Sequence, residues 1–173
     1  MLPVLVGGNA GSGVQTVLYD DAGRPVATTD QSGASGTVSY DNMGQAILAQ
    51  QLVRAAGGQP AIPTVVRMAY DLDGFMIKRV SGSATNPKTE LFTPSPQGQL
   101  AESVDPNTGT TKIVRNQLGQ PRSVQQNNAR RVDTTYDQAG RALASQLFGD
   151  DGLLVSGSSQ TLDAAGKDRK SVV

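Results

Sequence analysis

All four tyrosines of this chain begin the same five-residue pattern, Tyr-Asp-x-x-Gly. A repeated pattern of this kind indicates an array of similar small units rather than one irregular domain. Weaker copies fit the same frame at Phe148–Gly152, Leu162–Gly166, Arg115–Gly119 and Pro94–Gly98. Gly23 and Gly44 lie 21 residues apart, as do Gly98 and Gly119. The repeat length is therefore about 21 residues.

The spacing is not uniform. Gly44 and Gly74 are 30 residues apart, which predicts a longer connection in that copy. Near the C-terminus, Gly140, Gly152 and Gly166 are separated by only 12 and 14 residues. That spacing predicts shortened hairpins at this end of the array.

The residues that flank each copy predict a β-hairpin. Two and four residues before the tyrosine the side chains are partly apolar, as in Val66 and Met68, which suits a strand with one buried face. Asp and Gly then supply a turn, because Asp bonds nearby backbone amides and Gly adopts positive φ at low cost. Three residues after the glycine an aliphatic residue recurs and starts the return strand: Val26, Ile47, Ile77, Leu143 and Val155. Such hairpins gain stability by stacking side by side.

The composition favours β structure and excludes much catalytic chemistry. Of the 15 acidic residues 13 are Asp, a turn former, and only Glu90 and Glu102 are Glu. The chain has no Cys and no His, so it lacks a thiolate nucleophile, a disulfide and the commonest proton shuttle. The net charge is +0 and no basic cluster exceeds Arg130 and Arg131, which argues against nucleic-acid binding. No apolar run is long enough to span a membrane.

Tyr-Asp-x-x-Gly-Arg at this spacing resembles the YD repeat of the Rhs family, which also occurs in the B and C components of Tc toxins and in teneurins. The segments Tyr19–Arg24 and Tyr136–Arg141 match the repeat fully, whereas Gln45 and Phe75 replace the arginine in the other two copies. The family often has Leu after the arginine, where Pro25 and Ala142 stand here. The predicted structural motif residues are Tyr19, Asp20, Gly23, Arg24, Tyr40, Asp41, Gly44, Tyr70, Asp71, Gly74, Tyr136, Asp137, Gly140 and Arg141.

The resemblance implies an all-β fold in which tandem hairpins join into an extended, curved or spiralling antiparallel sheet, part of a shell. We expect a strand and Gly-rich linker at 1–14, about eight repeats at 15–168 and a tail at 169–173. The implied function is structural, in a shell that encloses or delivers a toxin, without catalysis and without a cofactor. Implied partners are further YD repeats of the same or an adjacent chain and an encapsulated toxin domain. Secretion or cell-surface exposure is also implied, although Met1–Val6 lacks the basic region of a signal peptide and is interpreted as a strand.

A second hypothesis is a surface-exposed module that binds carbohydrate or another cell surface, which requires aromatic rings facing solvent. An enzyme could only be a carboxylate hydrolase, and no pair of acids forms a recognisable site.

Three other motifs have simpler interpretations. Asp105-Pro106-Asn107-Thr108-Gly109 resembles the aspartate segment at which family shells cleave themselves, but it is also an ordinary turn, which we favour. Gly7–Gly13 is interpreted as a linker, because it lacks the Lys-Ser/Thr ending of a phosphate loop. The acids Asp20-Asp21, Asp71/Asp73 and Asp150-Asp151 lack the bidentate Glu of a calcium loop and are interpreted as solvated turn residues.

Local signals conflict in a few places. Gln45–Ala56 has helix-forming residues and ends at Gly57-Gly58, but its position after the Gly44 turn favours strand. Residues 81–90 are predicted to form an exposed loop. Gln125–Arg131 is predicted to be a solvated hairpin tip rather than a basic binding patch.

Overall fold

The computed structural model describes residues 3–6, 15–52, 63–83, 85–163 and 168–172. These residues form strands and turns, and strand order follows chain order. The predicted all-β fold of stacked antiparallel hairpins is therefore confirmed. The Gly7–Gly13 linker and residues 53–56 of the helix alternative lie outside the described residues. The chain divides into two units, Met1–Glu90 and Leu91–Val173.

In the first unit, consecutive strands from β1 to β7 pair antiparallel. The strands are β1 (Pro3–Val6), β2 (Gln15–Tyr19), β3 (Pro25–Thr29), β4 (Ser35–Tyr40), β5 (Ala46–Leu52), β6 (Pro63–Tyr70), β7 (Met76–Ser83) and the start of β8 (Asn86–Pro94).

In the second unit, the end of β8 pairs with the next strand, and antiparallel pairing continues to the last strand. The strands are β9 (Leu100–Asp105), β10 (Gly109–Arg115), β11 (Pro121–Gln126), β12 (Arg131–Tyr136), β13 (Ala142–Phe148), β14 (Leu154–Leu162) and β15 (Asp168–Val172). Most of the range set apart as a tail in the sequence thus belongs to β15.

A bulge recurs at the first residue of each motif copy. Ser39 pairs with Leu48 but Tyr40 pairs with Ala46, so Ile47 is the extra residue of the return strand. The same shift leaves out Val26, Ile77, Leu143 and Val155. These are the recurring aliphatic residues of the sequence pattern, and the pattern therefore reports a bulge position, which twists the hairpin where it leaves the turn.

Each unit has a face that carries the tyrosines, which we call the tyrosine face. Directly paired residues lie on the same side of a sheet, and side chains alternate along a strand. Val38, Ala49 and Val66 pair across β4, β5 and β6, and Tyr40 is on this side because it stands two residues after Val38. In the second unit Ile113, Val124 and Val132 pair in the same way.

The sequence predicts one buried face, and the structure corrects this prediction. Among the residues whose burial the structure describes, none of the hydrophobic side chains is buried, and Glu90 is the only buried residue. The tyrosine face carries a single layer of short apolar side chains, and none of those described is buried. Val132, at 37% exposure, is an example.

Several local predictions were wrong or are refined. Residues 81–90 are not one loop, since β7 extends to Ser83 and β8 begins at Asn86. Its Ser, Thr and Asn residues favour loops, but the pairing of neighbouring strands outweighs that preference. The shortened C-terminal hairpins are also wrong, because β13 has 7 residues and β14 has 9. Residues 46–52 form strand β5 as predicted.

Candidate functional site

The turns of the repeats are the most regular feature of the chain, and they carry its predicted site residues. We call the six segments that begin at a motif residue and end after the glycine the tyrosine turns: 19–24, 40–45, 70–75, 94–99, 115–120 and 136–141. They lie along one edge of the strands in each unit, which we call the tyrosine edge, because each connects an outgoing strand to its return strand.

Two backbone hydrogen bonds define every tyrosine turn. In the first turn the Asp20 N–H donates to the Arg24 carbonyl at 2.9 Å, and the Gly23 N–H donates to the Asp20 carbonyl at 3.0 Å. The same two bonds occur in the other five tyrosine turns, including the weak copies at Ser95 and Asn116. The backbone geometry is therefore kept where the motif residues are not.

The second residue of each turn holds the loop with its side chain. Asp20 Oδ1 accepts the N–H groups of Ala22 at 3.0 Å and Arg24 at 2.9 Å. Asn116 Oδ1 accepts the equivalent pair at 3.0 Å each, and Ser95 Oγ accepts its pair at 3.3 Å. An oxygen at this position, rather than a negative charge, is thus what the turn requires.

The tyrosine hydroxyls reach back to the preceding repeat. Tyr40 donates to the Pro25 carbonyl at 2.9 Å, and Tyr136 donates to the Pro121 carbonyl at 2.8 Å. Tyr70 donates to the Ala46 carbonyl at 3.0 Å. In each case the acceptor is the first residue of the preceding return strand, so the tyrosine ties consecutive hairpins together.

The sixth residue of the turn reaches forward to the next repeat. The Arg24 guanidinium lies over the ring of Tyr40, 4.5 Å from its centroid. Where glutamine replaces the arginine, its amide donates to the next motif glycine: Gln45 Nε2 to the Gly74 carbonyl at 3.1 Å, and Gln120 Nε2 to the Gly140 carbonyl at 2.6 Å. Arg24 and the glutamines at this position thus both contact the next repeat, the arginine by stacking on a tyrosine ring and the glutamines by a hydrogen bond.

The matching copies also carry an ion pair within the turn. Arg24 Nε lies 2.7 Å from Asp20 Oδ2, and Arg141 Nε lies 2.7 Å from Asp137 Oδ2. The pKa values of Asp20 and Asp137 lie below the ordinary value, first because the backbone N–H of the arginine donates to the carboxylate. The guanidinium lowers these pKa values further, and desolvation partly offsets the effect.

The opposite edge carries turns that the sequence pattern missed or misplaced. Asp30 and Gly33 form a turn with the same two backbone bonds, although Thr29 stands where the tyrosine would be. The Phe148–Gly152 copy also lies on this edge, because it connects β13 to β14. The 12 residues that separate Gly140 from Gly152 therefore span one strand, β13, rather than a shortened repeat. A search of the sequence for Asp-x-x-Gly, without requiring a preceding tyrosine, would have predicted the Asp30 turn.

A second unpredicted contact joins two neighbouring turns of this opposite edge in the second unit. Asn127 Oδ1 accepts the Thr110 N–H at 2.8 Å, and its Nδ2 donates to the Thr108 carbonyl at 3.0 Å. The hairpin tip predicted at 125–131 is thus a turn between β11 and β12 that caps its neighbour. Asp105 Oδ1 accepts the N–H groups of Asn107 and Thr108, as expected for the turn interpretation of that segment.

The acidic side chains of the described residues are the candidate ligands of a metal site. Within the described residues no group of three or more potential metal ligands occurs, and this covers the acids at Asp20, Asp71 and Asp150. Glu90 is the one buried charged group among the residues whose burial is described. It accepts two hydrogen bonds from Arg79, at 2.5 and 2.8 Å, with Lys88 Nζ at 3.7 Å. In the part of the chain that is described, no helix is long and apolar enough to cross a membrane.

Comparison with known proteins gives structural neighbours but no sequence relative. No protein-family model and no curated protein matches the chain. Crystal structures of TcdB2-TccC3-TEV and of TcdB2-TccC3 without its hypervariable C-terminal region match at 14% identity with a TM-score of 0.35. The Photorhabdus luminescens Tc holotoxin pore matches at 13% identity with a TM-score of 0.33. The chain is covered to 91% in each case and spans 11% of the matched chain.

Proposed function

We propose that this chain is a structural YD-repeat segment of an Rhs-type shell that encloses or delivers a toxin, without catalysis of its own. The observation that carries the proposal is the direction of the contacts between tyrosine turns. Turn 40–45 makes contacts in both directions: Tyr40 donates backward to the Pro25 carbonyl, and Gln45 donates forward to the Gly74 carbonyl. Tyr70 and Tyr136 repeat the backward contact, and Gln120 repeats the forward one. A unit that makes the same contacts on both sides is suited to extension into a long wall.

The proposed roles of the motif residues follow from these contacts. The aspartates and asparagine set the turn, the glycines allow it to close, the tyrosines join it to the preceding hairpin, and the arginines join it to the next. We propose these roles for Tyr19, Asp20, Gly23, Arg24, Tyr40, Asp41, Gly44, Tyr70, Asp71, Gly74, Tyr136, Asp137, Gly140 and Arg141.

The proposed partners are further YD repeats, of the same or an adjacent chain, and an enclosed toxin domain. In the first unit the tyrosine face forms a groove of about 480 Å³ lined by Val26, Val38, Ala49 and Val66 among others. Short, half-exposed apolar side chains suit a wall whose inner surface contacts another polypeptide. Such a surface does not bind one particular residue of that polypeptide.

The carbohydrate-binding alternative needs aromatic rings that are free to stack on a sugar. Three of the four tyrosines instead donate their hydroxyls to the backbone of the neighbouring hairpin. Quenching of tyrosine fluorescence by acrylamide distinguishes the two hypotheses. Partial shielding of the rings, unchanged by added oligosaccharide, supports the structural role, and sugar-dependent protection supports the alternative.

The proposal is tested most simply by sequencing the source DNA for several kilobases on both sides of this reading frame. We expect this frame or its neighbour to continue with Tyr-Asp-x-x-Gly repeats and a distinct toxin-like C-terminal segment. A frame with no such neighbour contradicts the shell and favours an independent module.

A further inference from the structure

One repeat of the second unit keeps the motif glycine but departs from the motif at the tyrosine, aspartate and arginine positions. Arg115 stands in the place of the tyrosine, Asn116 in that of the aspartate, and Arg122 at the aliphatic bulge position. The preceding turn has Ser95 instead of aspartate. These two turns thus lack both motif carboxylates, and the arginines at 115 and 122 stand where the motif has uncharged residues, while Gln99 and Gln120 replace the motif arginines.

Arg115 takes over the structural work of the missing tyrosine. Its Nη2 donates to the Leu100 carbonyl at 3.4 Å, and Leu100 is the first residue of the preceding return strand, where tyrosine hydroxyls donate in other copies. Its Nη1 donates to the Gly119 carbonyl at 3.1 Å. Since a guanidinium has five N–H donors, these two bonds leave further donors on both terminal nitrogens.

Nothing in the described residues neutralises this guanidinium. Its buried Nε has no hydrogen-bond partner within the part of the chain that is described, and none of the described ion pairs includes Arg115. Asp133, an acid of the neighbouring strand β12, pairs with Ser123 on the opposite face and binds Arg131 there. Glu102 pairs with Lys112, also on that opposite face.

Arg122 lies on the same side of the sheet as Arg115. Val124 pairs with Ile113, and both arginines stand two residues from this pair along their strands, Arg122 before Val124 and Arg115 after Ile113. The bulge at Arg122 brings the two positions together at the start of the return strand. Both arginines therefore lie on the tyrosine face, and Arg115 is the one that lines a pocket there.

A pocket adjoins Arg115 on this side. It has a volume of about 420 Å³ and lies between the turns at 94–99 and 115–120. Its lining includes Ser95, Gln97, Gln99, Asn116 and Gln117, which offer hydroxyl and amide groups, and Leu118, which is 68% exposed. This size is within the range of small-molecule pockets, roughly 300 to 1,000 Å³.

We propose that this pocket binds a small hydroxylated carboxylate of the sugar-acid type. A planar carboxylate matches the fork of the Arg115 guanidinium and supplies a negative charge to balance it. The side-chain amides are paired donors and acceptors, which suit the hydroxyl groups of such a ligand. The site is independent of the wall function, because it depends on residues that depart from the motif.

The decisive variant is Arg115→Tyr, which restores the motif residue and can keep the bond to the Leu100 carbonyl. Binding of D-glucuronate to the full chain is followed by isothermal titration and by NMR shifts of the side-chain amides. We expect binding to the unaltered chain that is roughly tenfold to a hundredfold weaker in Arg115→Tyr, as for loss of a charged hydrogen-bonding partner. Arg122→Val, which restores the aliphatic residue on the same face but outside the pocket lining, should weaken binding less than Arg115→Tyr.

Arg130→Gln is the matched control, because it removes an exposed positive charge at the opposite edge and should leave the affinity unchanged. Neutral D-glucose, glutarate without hydroxyls, and inorganic sulfate test the ligand class. Unchanged glucuronate affinity in Arg115→Tyr with an unchanged urea midpoint overturns the site. Equally tight binding of glucose, glutarate or sulfate overturns the hydroxylated carboxylate as its ligand.

Discussion

Asp20 shows how a single side chain organises a tyrosine turn. Its carboxylate accepts two backbone N–H groups and the Arg24 guanidinium, so three donors in the turn depend on it. Because these donors favour the ionised form, they lower the pKa of Asp20, and the same arrangement lowers that of Asp137. Turn stability is therefore linked to pH.

The stability of the chain should fall as the pH drops below about 4, the ordinary range of an aspartate. A carboxyl whose folded pKa is lowered stabilises the fold above its unfolded pKa, and this contribution is lost as the pH falls through the folded pKa. Urea unfolding at pH 7 and pH 3 measures the effect. Asp20→Asn with Asp137→Asn should reduce the pH dependence without abolishing it, because the pKa of Asp30 is also lowered, first by the hydrogen bond from the Ser32 hydroxyl. An unchanged slope in the double variant contradicts this prediction.

Removing the hydroxyl of Tyr136 should lower the free energy of unfolding by about 0.5–1.5 kcal/mol, the net worth of one hydrogen bond. The hydroxyl donates to the Pro121 carbonyl at 2.8 Å, and phenylalanine keeps the ring while losing this link. Urea denaturation of Tyr136→Phe gives the value. Thr135→Val, which removes an exposed hydroxyl next to it, is the control, and equal effects of the two variants would refute the role of the link.

Alanine substitutions at two glycines distinguish the effect of backbone strain from that of steric crowding. Gly23 and Gly109 have similar φ values, +77° and +83°, so alanine at either position should cost about 1–2 kcal/mol of strain. A Cβ at Gly23 meets nothing within 4 Å, whereas one at Gly109 would overlap Asn127 Oδ1. Gly109→Ala should therefore also break the Asn127 cap and cost more in thermal unfolding. Equal losses in melting temperature would contradict the cap.

At the scale of the hairpin, the important contacts are those between turns. Gln120 donates to the Gly140 carbonyl at 2.6 Å, and its own Oε1 accepts from Asn116 Nδ2 at 2.9 Å. The side-chain amide of Gln120 thus connects its own turn to the next turn by hydrogen bonds. Isolated hairpins are marginally stable, so such links decide whether a repeat stays closed.

Gln120→Ala should loosen the turn that follows it more than the turn that contains it. The loss of one hydrogen bond corresponds to roughly two- to tenfold faster opening, and the amide hydrogens of Asp137 and Gly140 should exchange faster by that factor. Exchange rates measured by NMR test this. Gln117→Ala, an exposed glutamine of the same turn, is the control and should leave these rates unchanged.

At the scale of the whole chain, the repeat frame predicted the hairpins, the strand that follows Gly44 and the recurring aliphatic residues. It did so because a turn with a fixed chemistry fixes the register of both flanking strands. The sequence shows that the aliphatic residues recur, but only the strand pairing identifies them as bulge residues. Their structural role could therefore not be predicted from the sequence pattern alone.

Other features depend on pairings that the sequence does not display. Residues 81–90 have loop-forming composition but become strand through their neighbours, and Phe148 resembles a motif residue but lies at the opposite edge. Arg115 replaces the tyrosine while keeping its backbone acceptor, and Asn127 caps a turn 17 residues away in sequence. These contacts are tertiary, so no local propensity reports them.

The most direct test of the account is residue-resolved amide hydrogen exchange of the full chain. We predict protection that follows the repeat, with slow exchange at the second residue of each turn, whose N–H is bonded, and fast exchange at the third, for which no bond is described. The expected slow amides are those of Asp20, Asp41, Asp71, Ser95, Asn116 and Asp137, and the expected fast ones are those of Asp21, Asn42, Leu72, Gln117 and Gln138. The third residue of the remaining turn is Pro96, which has no amide hydrogen. Protection in continuous helical runs, or protection without this alternation, would contradict the stacked-hairpin account.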